Sequence, residues 1–495
     1  MAFSMAWRAG AVEGGRCRDA DADRARELLA GFRGELYRCL TRRAGALSGR
    51  ADAVLCAPGR VGDLAHLSLV PECGRGHGGL YDGLNAGRVS VGRLRRAVTG
   101  LPLPRWPDGR IRLAADVTSW LRPDAASAPE RSFCHVYGRG KSAAQLIPGW
   151  PYSFVAALGP GPSSWAVLLD AVRIGPGDDE TDLAAAQLRE VAGRLAQAGH
   201  WAPGDPDILI ALDSGYNAAR LAHLLADLPV LLVVRVRAGR VFRRPVPPHV
   251  PGTPGRPSRH GPQVRCDGPA APAGAGVTAD AASARYGPLA VSAWHRVHPK
   301  LDRRSGGWRG HPGELPLIEG TLIRVAAAGP APGRAPLEPM WLWAPHPRAA
   351  APGAPVAVLW QAYLRRFDLE HVFRFLKSVL GWDKPLLRDP AAADRWTWLI
   401  IACYDQLWLA RPAAAAIRLP WQRPQLPGAM TPARVRAGFR RLRQAAGTPA
   451  SPPKPATPGP GRPPGSKNKT RAPRQPVGKR NTRRLRQAEK AKQTG

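Results

Sequence analysis

A chain of 495 residues is longer than one compact domain usually holds, so two or three domains are expected. Its 72 Lys+Arg stand against 37 Asp+Glu, a formal charge of +35, which asks for a polyanionic partner, nucleic acid first. No apolar run approaches the roughly 18 residues of a membrane span, and the opening "MAFSMAWRAGAVEGGRC" holds too short an apolar segment for a signal peptide, so a cytoplasmic protein without a membrane partner is expected. An anionic membrane surface is the rival polyanion, but no basic amphipathic helix stands out. Abundant Ala, Arg, Gly and Pro suggest GC-rich coding DNA; that accounts for Arg in place of Lys better than for a twofold excess of bases. Cys17, Cys39, Cys56, Cys73, Cys134, Cys266 and Cys403 are odd in number, scattered and without a CxxC pair, so they read as reduced, mostly buried thiols.

The predicted elements begin with helices. "DADRARELLAGFRGELYRCLTRRAGAL" is a long amphipathic stretch, followed by "VGDLAHLSL", "HGGLYDGLNAG" and "SVGRLRRAVTGL", shorter and broken by glycine. Residues 1–105 thus form a helical region and a candidate DNA-binding one. Short helices ending in "GRLRR" suit either a helix-turn-helix reader or an ordinary helical bundle. Near residue 110 the pattern changes. "RIRLAADVTSW", "SFCHVYG", "YSFVAALG" and "SWAVLLDAVRI" read as strands, "DETDLAAAQLREVAGRLAQAG" (179–199) as a helix, "DILIALD" (207–213) as a strand buried on both faces, "NAARLAHLLADL" as a helix and "PVLLVVRVRAG" as a strand. Residues 106–239 therefore open an α/β core with a mixed sheet. Residues 240–355 interrupt it. They are rich in Pro, Gly and base, with possible strands at "LIEGTLIRVAAA" and "PMWLWAP", and read as a mostly β or irregular insertion. Residues 356–445 return to helix: "VAVLWQA", then "YLRRFDLEHVFRFLKSVLGW" (363–382) as one helix, then "DRWTWLIIACYDQLWLARP". Residues 446–495 have almost nothing apolar and a single acid, Glu489, and read as a disordered basic tail.

The acids carry the chemistry. Asp116 in "LAADVT" and Asp213 in "LIALDSGY" sit within or at the end of apolar strands, where a carboxylate is costly unless it is paired or binds a cation. Each could also be a simple turn cap. Asp170 in "AVLLDAV" competes, but no glycine turn follows it. With Glu370 on the closing helix, the two aspartates would make a three-carboxylate cluster. Two Mg2+ ions, with Mn2+ as substitute, would neutralise it and clamp a phosphodiester. Arg366 and Lys377 then read as phosphate contacts on the Glu370 face. The bland alternative is a solvated helix face with an Arg366–Glu370 pair. Leu369, Val372, Leu376 and Val379 form the adjoining apolar stripe.

Tyr363, two residues, Arg366, three residues, Glu370, six residues, Lys377 resembles the Tyr-(2)-Arg-(3)-Glu-(6)-Lys signature of DDE insertion-sequence transposases. The order Asp, Asp, β-rich insertion, Glu is also similar to that family, with gaps of 213−116 = 97 and 370−213 = 157 residues. "YGRGK", "IPGWPYSF", "GDPDILI", "LAHLLADLPV" and "DPAAADRWTWL" resemble transposase-like proteins of high-GC actinobacteria. The resemblance implies an RNase H-like core in which Asp116, Asp213 and Glu370 hold two metal ions. It implies cut-and-paste transposition: water cuts a strand at a terminal inverted repeat, and the freed 3′-hydroxyl attacks target DNA. It further implies Tyr363, Arg366 and Lys377 on the DNA, a homodimer on paired ends and residence at the nucleoid. Trp294, Trp308, Trp341 and Trp343 would either stack on a displaced base or belong to the core. In the tail, "GPGRPPGSKNK" resembles an AT-hook. Arg462 would enter the minor groove and Lys467 and Lys469 meet phosphates, although Pro460 stands where the usual first Arg would be. An unspecific basic tail is the other reading. The rival functions are an inactive transposase-derived DNA-binding protein, a nuclease without strand transfer, and a metal-free structural protein.

Overall fold

The computed structural model describes residues 3–136, 145–161, 164–246, 258–267, 272, 274–283, 287–304, 306–327, 338–346, 353–415, 417, 420–421, 423, 430–452, 465 and 472–478. The first hundred residues are helical: α1 (Phe3–Cys39), α2 (Ala44–Cys56), α3 (Leu64–Ser68), α4 (His77–Ala86) and α5 (Val91–Thr99), with β1 (Leu40–Arg42) and β2 (Arg88–Val89) paired between them. Leu29, Phe32 and Leu36 recur at helical spacing on α1 and are buried in one core with Val54, Leu94, Trp396 and Ile400. These helices pack together and on the rest of the chain. Two of the three arginines of "GRLRR" stitch them in place. Arg93 Nε lies 2.6 Å from Glu35, and Arg95 pairs with Asp170 at 3.2 Å and Glu190 at 3.1 Å.

The sheet starts with β3 (Arg112–Leu121), β4 (Ser132–Val136), β5 (Gln145–Leu158) and β6 (Ala166–Arg173), then α6 (Glu180–Gln197), β7 (Ile208–Leu212), α7 (Ala218–Leu224) and β8 (Val230–Val236). β5 runs antiparallel to β3, and β4 and β6 follow one another along the outer edge of β5. β3, β7 and β8 are parallel, as the intervening helices allow. Every residue of β7 is buried, consistent with a strand covered on both faces. Asp179 caps α6 by accepting from the N–H groups of Thr181 and Asp182, and Asn217 caps α7.

The segment expected as an insertion is largely β, and it lengthens the same sheet. Its strands are β9 (Val241–Arg243), β10 (Gln263–Arg265), β11 (Val277–Ser283), β12 (Gly287–Pro299), β13 (Gly320–Ala327) and β14 (Met340–Pro345), and β14 joins β8 antiparallel. Among the described residues this gives a twelve-stranded mixed sheet, in the order β10-β9-β12-β13-β14-β8-β7-β3-β5-β4, with β11 on β12 and β6 on β5. Trp294, Trp308, Trp341 and Trp343 are all at most 3% exposed, so of their two readings the core one holds and no ring is free to stack on a base.

The closing stretch differs from expectation. Instead of one helix from Tyr363 to Trp382 there are two, α8 (Val356–Arg365) and α9 (Phe367–Ser378), broken at Arg366. The bonds Arg366 N–H to Tyr363 O and Leu369 N–H to Arg366 O, both 3.0 Å, span three residues and tighten the turn there. Leu369, Val372 and Leu376 are fully buried and anchor α9. Gly381, at φ 69°, lets the chain leave the helix, because a Cβ there would lie 2.7 Å from Val61 O. α10 (Pro390–Ala410), α11 (Pro432–Ala437) and α12 (Phe439–Ala446) complete the helical layer.

Part of the stretch read as a tail is described. Residues 472–478 meet the loop before β4 and its first residues: Gln475 N–H donates to Ala126 O at 2.9 Å, Gly478 N–H to Arg131 O at 2.7 Å and Phe133 N–H to Gly478 O at 3.3 Å. A sheet edge offers unpaired backbone groups whatever the composition of the strand that meets it. Arg462, Lys467 and Lys469 lie outside the described residues. Among the described residues no helix is long and apolar enough to cross a membrane.

Candidate active site

β3 and β7 run in parallel register from Arg112 beside Leu209 to Ala115 beside Leu212. The next residue on each is an acid, Asp116 and Asp213, so the two stand on neighbouring strands, which are spaced about 4.8 Å apart. Glu370 lies in the first turn of α9. All three turn toward one side chain. Arg366 Nη1 donates to Asp116 Oδ2, while its Nη2 lies 3.1 Å from Glu370 Oε1 and 4.0 Å from Asp213 Oδ1. That guanidinium, at the break between α8 and α9, stands at the centre.

The supporting bonds are local. Val117 N–H donates to Asp116 Oδ1 at 2.8 Å, and Tyr363, fully buried, donates its hydroxyl to Asp213 Oδ1 at 3.3 Å. Lys377 donates from Nζ to Ser119 O at 3.0 Å, with Nζ 5.6 Å from the centre of the Trp382 ring. Burial pushes the Asp116 carboxyl up to about 6, with Arg366 and the Val117 N–H holding it back. Burial works against the Arg366 cation too, but Asp116, Tyr363, Asp213 and Glu370 outweigh it, so its pKa is raised. Burial pushes the Tyr363 hydroxyl up to about 12 and the Lys377 ammonium down. Tyr363, Arg366 and Lys377, expected on DNA, thus have their polar ends on protein partners here.

The donor set suits a hard divalent cation: three carboxylates, with Asp213 and Glu370 reaching solvent at 37% and 49% side-chain exposure. One guanidinium offsets three acids, which leaves negative charge inside a chain of net charge +35. Among the described residues no three acids, histidines or cysteines stand close enough to share one ion as they are.

Asp170 lies apart from this cluster. It is fully buried, paired to Arg95 at 3.2 Å and Arg194 at 2.5 Å, and so ties β6 to α5 and α6. Asp170→Asn is expected to cost about 2 kcal/mol of stability, because it leaves two largely buried arginines with only the half-exposed Glu190 as an acid. Chemical denaturation would measure this. Unchanged stability would overturn the structural role of the Asp170 pairs.

No curated protein matches the chain. The sequence profile described as "DDE superfamily endonuclease" matches residues 35–300, a span that takes in Asp116 and Asp213 and stops before Glu370. That span is more than half of the 495 residues, and the chain belongs to the DDE superfamily endonuclease family.

Proposed function

We propose that this protein is a DNA transposase that cuts at the terminal inverted repeats of a mobile element and transfers the freed 3′-hydroxyl to target DNA. The observation that carries the reading is the gathering of Asp116, Asp213 and Glu370, from two adjacent strands and a helix 157 residues further on, around one guanidinium. The antiparallel set β6-β5-β3 continued by parallel β7 and β8 supports an RNase H-like core.

Asp116, Asp213 and Glu370 are the residues that would hold Mg2+ or Mn2+. Bound ions of this kind lower the pKa of a water and stabilise the charge on attacking and leaving oxygens. Arg366 supplies the counter-charge that keeps the three acids together in their absence. Tyr363 fixes the rotamer of Asp213, and Lys377 sits one strand position from Trp120 on the Ser119 carbonyl. We assign Tyr363, Arg366 and Lys377 a second role as contacts to DNA near the cut, with Arg366 forking onto a phosphate once it leaves the acids. Arg462, Lys467 and Lys469 are assigned to the minor groove and its phosphates. A homodimer on paired ends, in the cytoplasm at the nucleoid, completes the reading.

The test uses the purified full chain, a duplex carrying the inverted repeat that flanks its gene, and Mg2+. Nicks that leave a 3′-hydroxyl, followed by joining to a second duplex and stopped by chelator, are the expected result. A gel shift of the same duplex with no cutting in Mg2+ or Mn2+ would leave an inactive DNA-binding relative.

A further inference from the structure

We propose that a cleft walled by arginines, at the far end of α9 from Glu370, binds backbone phosphates of the duplex being processed. The proposal rests on the DNA-processing reading above and adds a phosphate site to it. The cleft has a volume of about 550 Å³ and lies between the end of α2, the end of α9, and α11 with α12. Arg60, Arg436, Arg440 and Arg441 line it together with Val379 and Ile417, and no acid is among its lining residues. α11 and α12 carry Arg434, Arg436, Arg440, Arg441 and Arg443 and no carboxylate.

The cations are held in place and poorly neutralised. Arg436, only 7% exposed, donates to Val54 O at 3.0 Å and Gly59 O at 2.6 Å, and its Nη2 has no acceptor among the described residues. Arg440 is pinned to Cys56 O and offset by Glu72 at 2.8 Å. Arg60 and Arg441 are exposed and meet no carboxylate among the described residues. Four guanidinium groups thus face one cleft against the single carboxylate of Glu72. Like charges around one cleft repel, and an anion that accepts from their forks relieves the repulsion, with Arg436 and Arg440 already held in place. The cleft takes a stretch of backbone and not a duplex, whose major groove alone is about 12 Å wide.

Its position fits the cut. Val379 lies nine residues beyond Glu370 (379−370), about 14 Å along a helix axis. That is less than half of the roughly 34 Å of one duplex turn, but nine residues also carry Val379 to the opposite side of α9 from Glu370, so a strand with its scissile phosphate at the acids reaches the cleft by passing round the end of that helix. Val61 N–H donates to Val379 O at 3.0 Å, so the cleft wall and the helix that carries Glu370 are joined directly.

The test measures how duplex affinity of the full chain changes with salt, by fluorescence anisotropy, for wild type and for Arg60→Gln/Arg441→Gln. The slope of log K against log salt is expected to fall by about two in the double variant, close to 0.9 for each phosphate that is no longer neutralised. The control is Arg237→Gln/Arg309→Gln, two exposed arginines away from the cleft, which should keep the wild-type slope. An unchanged slope in the cleft variant, or an equal fall in the control, overturns the proposal. So does a thermal stabilisation by sulfate that the cleft variant loses while its DNA slope stays wild type, since the cleft would then hold only a free anion. Cleavage measured on the same preparations separates the two readings. Cutting with an unchanged slope rejects the cleft and keeps the transposase, whereas a lowered slope without cutting keeps the cleft and rejects the transposase.

Discussion

Asp116→Asn, Asp213→Asn and Glu370→Gln are each expected to lower single-turnover cleavage by about three orders of magnitude or more, with DNA affinity kept or slightly raised. Each amide retains the volume of the acid and removes only its charge. Divalent ions contribute several kcal/mol to a transition state of this kind, and each 1.36 kcal/mol is about tenfold in rate. The three acids act as one unit, so a double amide should be little worse than a single one. Affinity moves the other way, because one fewer negative charge faces the phosphates. Chain folding should survive at Asp213 and Glu370, whose side chains are 37% and 49% exposed. Cleavage of an end-labelled duplex, beside anisotropy on the same duplex, reads both quantities. Wild-type cutting by Glu370→Gln would remove the third ligand from the scheme, and parallel losses of cutting and binding would point to unfolding.

Much of this arrangement was legible in local pattern. The alternation of "RIRLAADVTSW" and the uninterrupted "DILIALD" marked β3 and β7, and acids at their polar positions marked the cluster. What lay beyond the sequence depended on partners far along the chain. Asp170 sits in an apolar run much as Asp116 does, and only Arg95 and Arg194, from α5 and α6, make it a structural ion pair. Of the strands of 240–355 only β13 and β14 could be read, and their continuation of the core sheet could not, since the β14–β8 pairing joins segments about a hundred residues apart. The docking of 472–478 uses backbone groups, to which composition is blind. The break at Arg366 was hidden because "YLRRFDLEHVFRFLKSVLGW" has no proline, and no glycine before Gly381. The turn tightens where a guanidinium meets Asp116, 250 residues earlier in the chain.

That ion pair leads to the second large effect. Arg366→Met is expected to lower the stability of the metal-free protein by about 2 kcal/mol, and millimolar Mg2+ or Mn2+ is expected to restore most of the loss. Most of the cost arises at Asp116, which is largely buried and would keep only the Val117 N–H as a partner. The partly exposed Asp213 and Glu370 add little, since water screens their pairs. In wild type a divalent cation must displace the guanidinium to reach the same carboxylates, so part of its binding energy goes into breaking those bonds. Without Arg366 that competition is gone, and Mn2+ should bind more tightly, as read from the free-ion signal in electron paramagnetic resonance. Arg366→Lys keeps a charge but not the fork that reaches three acids, and should fall between wild type and Met. Equal Mn2+ affinity and equal metal-free stability in wild type and Arg366→Met would mean that the guanidinium does not stand where the ions go, and the three acids would lose their claim to a shared cation site.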